Sequence, residues 1–271
     1  GSAYGWARPI NSCNDSCIEI DNNYEESEYY TNGVDAMKVT LIHEYFHTIQ
    51  FGYRCSAGTD SYFYELTSTW IEDIGYPDIN DYINFMVSSN SNKNYYKYPD
   101  QDFDDTNGYS VALFGHYLST QLENNGGIGY EDELSSVVMN KVWDRIDNTS
   151  NTAIAAIDYI LESEYSTSFN NAWMDFNTRN LFNQIDEGMY YYDDQSLIEK
   201  INIDDYTIID DNSNNTSFGL DYKSVSIPSF SLYDRGKVNI NITANDDLLF
   251  GNMVIISDTE ASSVPLFSGV S

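Results

Sequence analysis

The sequence predicts an α+β fold: a mainly helical domain over residues 1–199 with a short N-terminal sheet, then a small all-β, sandwich-like module over residues 200–271. Two patterns along the chain lead to this prediction. Apolar residues recur at spacings of three and four through most of residues 34–182, as they do in amphipathic helices. After about residue 200 apolar and polar residues alternate, as they do in strands.

The N-terminal part carries strand signals and then a strong helical pattern. Residues 4–10 and 18–20 are short apolar stretches among polar residues, which predicts the strands of the short sheet. A first helix is predicted with Asn32 as its cap and an end near Gly52. The apolar residues at helical spacing in it are Val34, Met37, Leu41, Ile42, Tyr45, Phe46 and Ile49.

The remaining elements follow from the same periodicities. Further helices are predicted over residues 61–74, 79–87, 109–122, 131–146, 152–161 and 169–182. Strands are predicted over residues 222–227, 238–242 and 253–256. Residues 88–108 are polar and acidic without periodicity, so they predict a surface loop.

An alternation of acidic residues in that loop resembles the start of a calcium-binding EF-hand loop. Asp100, Asp102 and Asp104 have the required spacing, but Asp105 stands where the loop needs glycine and Val111 where it needs glutamate. The calcium loop is therefore incomplete. A solvated acidic loop is favoured there, and a Ca²⁺ site is the alternative.

The charge of the chain excludes two classes of partner. Lys and Arg number 12 against 43 Asp and Glu, which gives a formal net charge of −31. A nucleic-acid backbone or an anionic membrane surface would be repelled, because no basic stripe exists to displace counterions. No apolar run approaches the ~20 residues that a membrane-spanning helix needs. The sequence predicts neither a nucleic-acid partner nor a membrane span.

Three cysteines are present, Cys13, Cys17 and Cys55. A closed structural zinc site needs four ligands, and no second Cys or His pair lies near Cys13 and Cys17. A disulfide is favoured instead, either Cys13–Cys17 or one of these two with Cys55. Because disulfides persist in oxidising compartments, the sequence predicts an extracellular protein, secreted or at the cell surface.

The residues His43-Glu44-Tyr45-Phe46-His47 form an H-E-x-x-H motif inside the first predicted helix. Two of the chain's 3 histidines are in it. Positions i and i+4 share a helix face, so both imidazoles can reach one metal ion with Glu44 beside it. The alternative is a pair of core histidines with satisfied hydrogen bonds.

A catalytic zinc site needs a third protein ligand and a position left open for water. The second predicted helix offers Glu65 and Glu72, which are seven residues apart and therefore share a face. Glu65 follows His47 by 18 residues. Glu65 and Glu72 are therefore the candidates for the third ligand.

The sequence resembles the gluzincin zinc metallopeptidases in three features. It has the H-E-x-x-H motif, a glutamate in a predicted helix about twenty residues later (Glu65), and a small residue three positions after that glutamate (Ser68). The Glu65–Glu72 spacing is similar to that of aminopeptidase-N-like members, whereas Thr69 stands where thermolysin-like members have an acidic residue. Residues 46–53 and 76–82 look like those of a group of secreted bacterial gluzincins. No Gly-rich exopeptidase motif precedes the first helix, so amino-terminal exopeptidase activity is not predicted.

The resemblance implies a zincin-like metalloprotease domain in which His43, His47 and Glu65 bind one Zn²⁺. It implies that Glu44 is the general base, which takes a proton from water and passes it to the leaving amine of a peptide or protein substrate. The predicted activity is therefore that of a secreted zinc-dependent endopeptidase. A catalytically silent surface or binding protein that keeps the zinc scaffold is the alternative.

Two further pairs of residues are candidates for supporting roles. Glu72 or Asp73 would orient a metal-binding side chain by contacting it on the side away from the metal. Tyr109 and His116 are seven residues apart on a predicted helix and share a face, which makes them candidate catalytic residues for stabilising the oxyanion. The alternative for each is a partly buried residue whose polar tip is satisfied by hydrogen bonds.

Overall fold

A computed structural model of the chain describes residues 4–13, 15–25, 27, 29–88, 93–99, 101–124, 130–183, 193–201, 205–209, 228–232, 250–256 and 261–268. This part of the chain is mainly helical and has a two-stranded sheet at its N-terminal end, which is compatible with the predicted α+β class. Of the helices described, none has the length and apolar character needed to cross a membrane.

The elements occur in the following order. The described strands are β1 (Gly5–Ile10), β2 (Asp15–Ile20), β3 (Asp205–Ile209), β4 (Pro228–Leu232), β5 (Phe250–Ile256) and β6 (Ala261–Ser268). The described α-helices are α1 (Gly33–Tyr53), α2 (Ser61–Gly75), α3 (Asp81–Ser88), α4 (Leu113–Tyr117), α5 (Tyr130–Glu133), α6 (Val138–Asp147), α7 (Ala153–Glu164) and α8 (Phe169–Asn180).

Strands β1 and β2 form an antiparallel hairpin that lies against α1. A disulfide joins Cys13, in the hairpin turn, to Cys55, just after the end of α1. This confirms one of the predicted pairings, Cys13 with Cys55, and the alternatives Cys13–Cys17 and Cys17–Cys55 are wrong. The reason is the strand register, which holds Cys17 opposite Arg8 in the hairpin, where it remains a free cysteine.

Helix α1 buries its polar side. Its buried residues are Ala36, Val39, Thr40, His43, Glu44, His47 and Gln50. The apolar residues that predict the helix from its sequence include several that are exposed on it: Val34, Met37, Leu41, Tyr45 and Ile49. The periodicity therefore predicts the helix correctly, while the face that packs inward is the one that carries the H-E-x-x-H motif.

The ends of α1 differ slightly from the prediction. Asn32 is at the N-cap position but its side chain makes no capping hydrogen bond, and its Nδ2 donates to the Tyr24 carbonyl at 3.2 Å. Gly52 lies within the helix, which ends one residue later at Tyr53.

Two predicted helices are interrupted. Residues 109–122 form a 3-10 turn (Tyr109–Val111), then α4, then a π-helical segment (Leu118–Glu123). The single helix predicted over residues 131–146 is wrong, because it breaks into α5 and α6. The Glu123 carboxylate accepts hydrogen bonds at 2.8 Å from the backbone N–H groups of Val137 and Val138, which starts α6 anew.

The main core lies between α2 and the later helices and is rich in aromatic residues. Its rings include Phe63, Tyr95, Phe103, Phe114, Trp143, Trp173 and Phe176. Tyr95 and Phe103 come from the segment predicted as a surface loop. The described part of residues 93–108 is a loop with one 3-10 turn, as predicted, but these two rings are buried and do not lie on the surface. An acidic segment can contribute to a core when its few aromatic rings point inward.

The C-terminal strands pair two by two. Strand β3 is parallel to β4, and β5 is antiparallel to β6. The strand predicted over residues 253–256 lies within β5, whereas those predicted over 222–227 and 238–242 lie outside the described residues. The boundary near residue 200 stays a prediction.

Candidate metal centre

Helices α1 and α2 bring together the three predicted metal ligands. His43 and His47 lie one turn apart on the buried face of α1, with ring centroids 4.8 Å apart. Oε2 of Glu65, on α2, lies 3.3 Å from His43 Nε2 and 3.7 Å from His47 Nε2. One ligand atom from each of the three residues lies within 4.8 Å of the others. The group could therefore hold a metal ion.

The remaining nitrogen of each imidazole has a partner in the protein. His43 Nδ1 lies 2.6 Å from Glu72 Oε1, and His47 Nδ1 lies 2.7 Å from Gln50 Oε1. These contacts fix the orientation of both rings so that the two Nε2 atoms face Glu65. Hydrogen bonds of this kind are what metal-binding histidines require from their surroundings.

Gln50 belongs to the group through its contact with His47, and the sequence patterns did not single it out. It is fully buried, and its Nε2 donates to the Tyr64 carbonyl at 3.0 Å, to Thr67 Oγ1 at 2.9 Å and to Ser68 Oγ at 3.1 Å. The side-chain amide therefore links His47 to the backbone and hydroxyl groups of α2. Its position three residues after His47, on the same helix face, is the sequence signal that could have identified it.

The residues present fit a zinc ion. Glu65 Oε2 is buried without a hydrogen-bond partner, although it faces two imidazole nitrogens. A buried carboxylate oxygen left in this condition is costly unless a cation or a proton donor satisfies it. Two imidazoles and one carboxylate are the donor set of catalytic zinc sites. The side chain of Glu65 is 30% exposed, which leaves one side of the group accessible from solvent.

Carboxylates dominate the electrostatics of the group. Burial lowers the pKa of His43, but the Glu65 and Glu72 carboxylates outweigh it and raise that pKa to about 10. Burial raises the pKa of Glu65, but His43 and His47 have a larger opposite effect. The pKa of Glu65 therefore lies well below its usual range. The pKa of Glu72 is raised to about 7 by its burial, against the opposing effect of His43. The group therefore favours a bound positive charge.

Glu44 lies beside the ligands and contacts the N-terminal hairpin. It is buried, and its carboxylate accepts a hydrogen bond from the backbone N–H of Ala7 in β1. Burial raises the pKa of Glu44, while His43 and His47 oppose the rise. A carboxylate in such surroundings has a pKa closer to neutrality, which suits a group that accepts and returns a proton.

Tyr109 is brought to the metal group by a glycine. Its ring is stacked on that of His43, with centroids 6.0 Å apart and planes at 6°, and its hydroxyl group lies beside Glu65. The preceding Gly108 has φ +81°, and a Cβ there would lie 2.7 Å from Glu65 Cβ. Only glycine allows the chain to come this close to α2. Burial and Glu65 raise the pKa of Tyr109 well above 10, so its O–H stays protonated.

His116 has different partners from those of the metal group. It is buried on α4, with Nδ1 2.6 Å from Glu133 Oε1 and Nε2 3.6 Å from Asp73 Oδ2. Trp70 Nε1 also donates to Glu133, at 3.0 Å. The structure therefore places His116 and Asp73 in a separate buried cluster. Glu72 and Asp73 were the two residues predicted to orient a metal ligand, and Glu72 is the one that contacts such a ligand, His43.

The acidic segment around Asp102 and Asp104, predicted as an incomplete calcium loop, forms no second group of possible metal ligands among the described residues. The group found there consists of His43, His47 and Glu65. Asp102 and Asp104 flank the buried Phe103 in a 3-10 turn, and Asp100 lies outside the described residues.

No protein-family model, no curated protein and no solved structure matches this chain. The residues of the site and their geometry are therefore the basis for assigning a function.

Proposed function

We propose that this chain is a secreted zinc-dependent endopeptidase with a zincin-like domain, related in its site to the gluzincins, followed by a sandwich-like accessory module. The observation that carries the proposal is the convergence of His43 Nε2, His47 Nε2 and Glu65 Oε2, with Glu44 next to them in the same buried space. Zinc bound there would polarise the scissile carbonyl and lower the pKa of a bound water toward ~7.

Glu44 is the group of the chain that moves protons in this proposal. Its carboxylate takes a proton from the attacking water and later delivers it to the nitrogen of the leaving amine. Its raised pKa favours both steps, because the carboxyl can hold the proton between them. The Ala7 backbone N–H favours the charged form of this carboxylate and so opposes the rise of its pKa.

Tyr109 is the proposed source of oxyanion stabilisation. Its O–H is protonated at neutral pH and lies beside Glu65, so it can donate a hydrogen bond to negative charge that develops next to the metal group. His116 does not take this role in the proposal, because Glu133 and Asp73 face its two ring nitrogens.

The hairpin and the disulfide support the remaining parts of the proposal. Strand β1 lies next to Glu44, and Pro9 within it lacks an N–H, which is typical of an edge strand. An extended peptide could bind beside such an edge by adding a strand. The Cys13–Cys55 disulfide supports an extracellular location, since such bonds persist in oxidising compartments.

Internally quenched peptides with blocked termini, together with free peptides, test the proposal directly. The zinc-loaded chain is expected to cleave the blocked peptides, which only an endopeptidase can do. A Glu44→Gln variant should keep its zinc and lose at least about 10²-fold in kcat, while Glu162→Gln, an exposed glutamate of α7, should retain full activity. Full activity in Glu44→Gln would reject the proposal, and bound zinc without turnover would favour the silent scaffold.

A further inference from the structure

The N-terminal hairpin makes an unusually close approach to the general base. A Cβ at Gly5 would lie 2.7 Å from Thr40 Cγ2 and 3.1 Å from Glu44 Cγ. Two residues further along β1, the Ala7 N–H donates to the Glu44 carboxylate. The backbone of β1 therefore sets where the Glu44 carboxylate points, and Gly5 permits the approach.

On the side that faces away from α1, the hairpin has little packing to keep it in that place. Its apolar side chains are largely in solvent, with Trp6 66%, Ile10 40% and Ile20 39% exposed. An isolated two-stranded hairpin is marginally stable at best in water. The hydrogen bond to Glu44 thus depends on whatever fixes the hairpin to the rest of the domain.

Two anchors fix the hairpin, one at each end. At the open end, the Tyr4 hydroxyl accepts hydrogen bonds from the backbone N–H groups of Tyr30, at 2.6 Å, and Thr31, at 3.3 Å. At the turn, the Cys13–Cys55 disulfide ties the hairpin to the end of the helix that carries Glu44. The covalent anchor is the one that holds the turn, since the strand residues between the anchors are mostly exposed.

We propose that the Cys13–Cys55 disulfide and Gly5 are positioning residues for Glu44, so that breaking the disulfide lowers the rate of hydrolysis without removing the metal. The proposal rests on the proposed function, since it concerns the general base of that reaction. It gives the disulfide a role in the reaction in addition to its contribution to stability.

A trialkylphosphine tests this without chelating zinc as a dithiol would. The phosphine gives two electrons to the S–S bond, which breaks, and water supplies the oxygen of the phosphine oxide and the two protons of the new thiols. The reduced chain is expected to lose about 10- to 100-fold in kcat, with its zinc content unchanged. The Cys17→Ser variant, which keeps the disulfide, should behave as the wild type before and after reduction.

A second variant perturbs the same contact with the disulfide intact. Gly5→Ala should lower kcat by a similar factor, because its Cβ pushes β1 away from Thr40 and Glu44. Gly52→Ala is the matched control, since a Cβ there meets nothing within 4 Å. Unchanged kcat in a chain shown by mass to be reduced would overturn the proposal, and so would a loss of rate that follows a loss of zinc.

Amide hydrogen exchange at Ala7 separates this proposal from the proposed function. Slower exchange in the oxidised chain than in the reduced chain is expected, whether or not the protein hydrolyses peptides. If the oxidised chain shows no hydrolysis, the proposed function fails while this measurement still decides whether the disulfide docks β1 on Glu44. Equal exchange rates in the two forms would overturn the inference.

Discussion

Glu72 Oε1 lies 2.6 Å from Nδ1 of His43, while the Nε2 of the same imidazole faces Glu65. The two glutamates are on one face of α2, two turns apart, and His43 is held between them. The Glu72 carboxylate therefore orients the imidazole ring, and the Glu65 carboxylate lies on the side of the ring where a metal would bind.

Replacing Glu72 tests whether this orientation matters for metal binding. We expect Glu72→Gln to weaken zinc binding by about 10- to 100-fold, because the amide loses the charge that makes the imidazole a better ligand. Competition with a chromophoric chelator measures the change. Zinc affinity equal to that of the Glu162→Gln control would contradict the role assigned to Glu72.

Gln50 performs the corresponding task for His47 and also joins α1 to α2. Its truncation in Gln50→Ala leaves buried partners on α2 without their hydrogen bonds, so the free energy of unfolding should fall by about 1–3 kcal/mol. Urea unfolding measures this. The surface variant Gln101→Ala should stay within about 0.5 kcal/mol of the wild type, and an equally small effect of Gln50→Ala would show that the buried amide has no such role.

Tyr109→Phe removes the proposed oxyanion donor and keeps the ring that stacks on His43. We expect kcat to fall by about 10²- to 10³-fold with zinc retained. Steady-state kinetics beside Tyr98→Phe, an exposed tyrosine, provide the comparison. Hydrolysis at the wild-type rate would leave Tyr109 as a packing residue only.

His116 gives the protein a pH-dependent stability. Burial lowers its pKa, but Glu133, Asp73 and Asp194 raise it to about 9, above the 6.5 of an unperturbed histidine. A raised pKa in the folded state stabilises the protein fully below pH ~6.5, and this stabilisation is lost as the pH rises through about 9.

The expected contribution is about 3 kcal/mol at the acidic end of that window. The difference in unfolding free energy between wild type and His116→Gln should therefore shrink between about pH 6.5 and 9, measured by urea titration at a fixed zinc concentration. A difference that does not change over this range would show that His116 is not held protonated by its neighbours.

The metal ligands could be predicted from the sequence because helical geometry makes them local. Residues 43 and 47 share a face in any α-helix, and the only long-range requirement was that the next helix pack with Glu65 toward them. The helix itself followed from periodicity. Its buried side did not, because the polar face is stabilised by contacts with α2 and with the hairpin that no pattern within α1 reveals.

The residues that sequence analysis missed depend on tertiary packing. Glu133 reaches His116 because Glu123 interrupts the predicted helix and separates α5 from α6. Ala7 contacts Glu44 through its backbone, so its side chain carries no signal of the contact. The pairing of Cys13 with Cys55 was among the predicted alternatives, and what selects it is where the hairpin turn meets the end of α1.

Diffraction data collected on either side of the zinc absorption edge would show whether these three side chains bind zinc. We expect one anomalous peak bonded to His43 Nε2, His47 Nε2 and a Glu65 oxygen at about 2.0–2.2 Å, with Glu44 outside bonding distance. A zinc-soaked crystal with no peak between these three side chains, or with the peak bonded to other residues, would contradict this expectation.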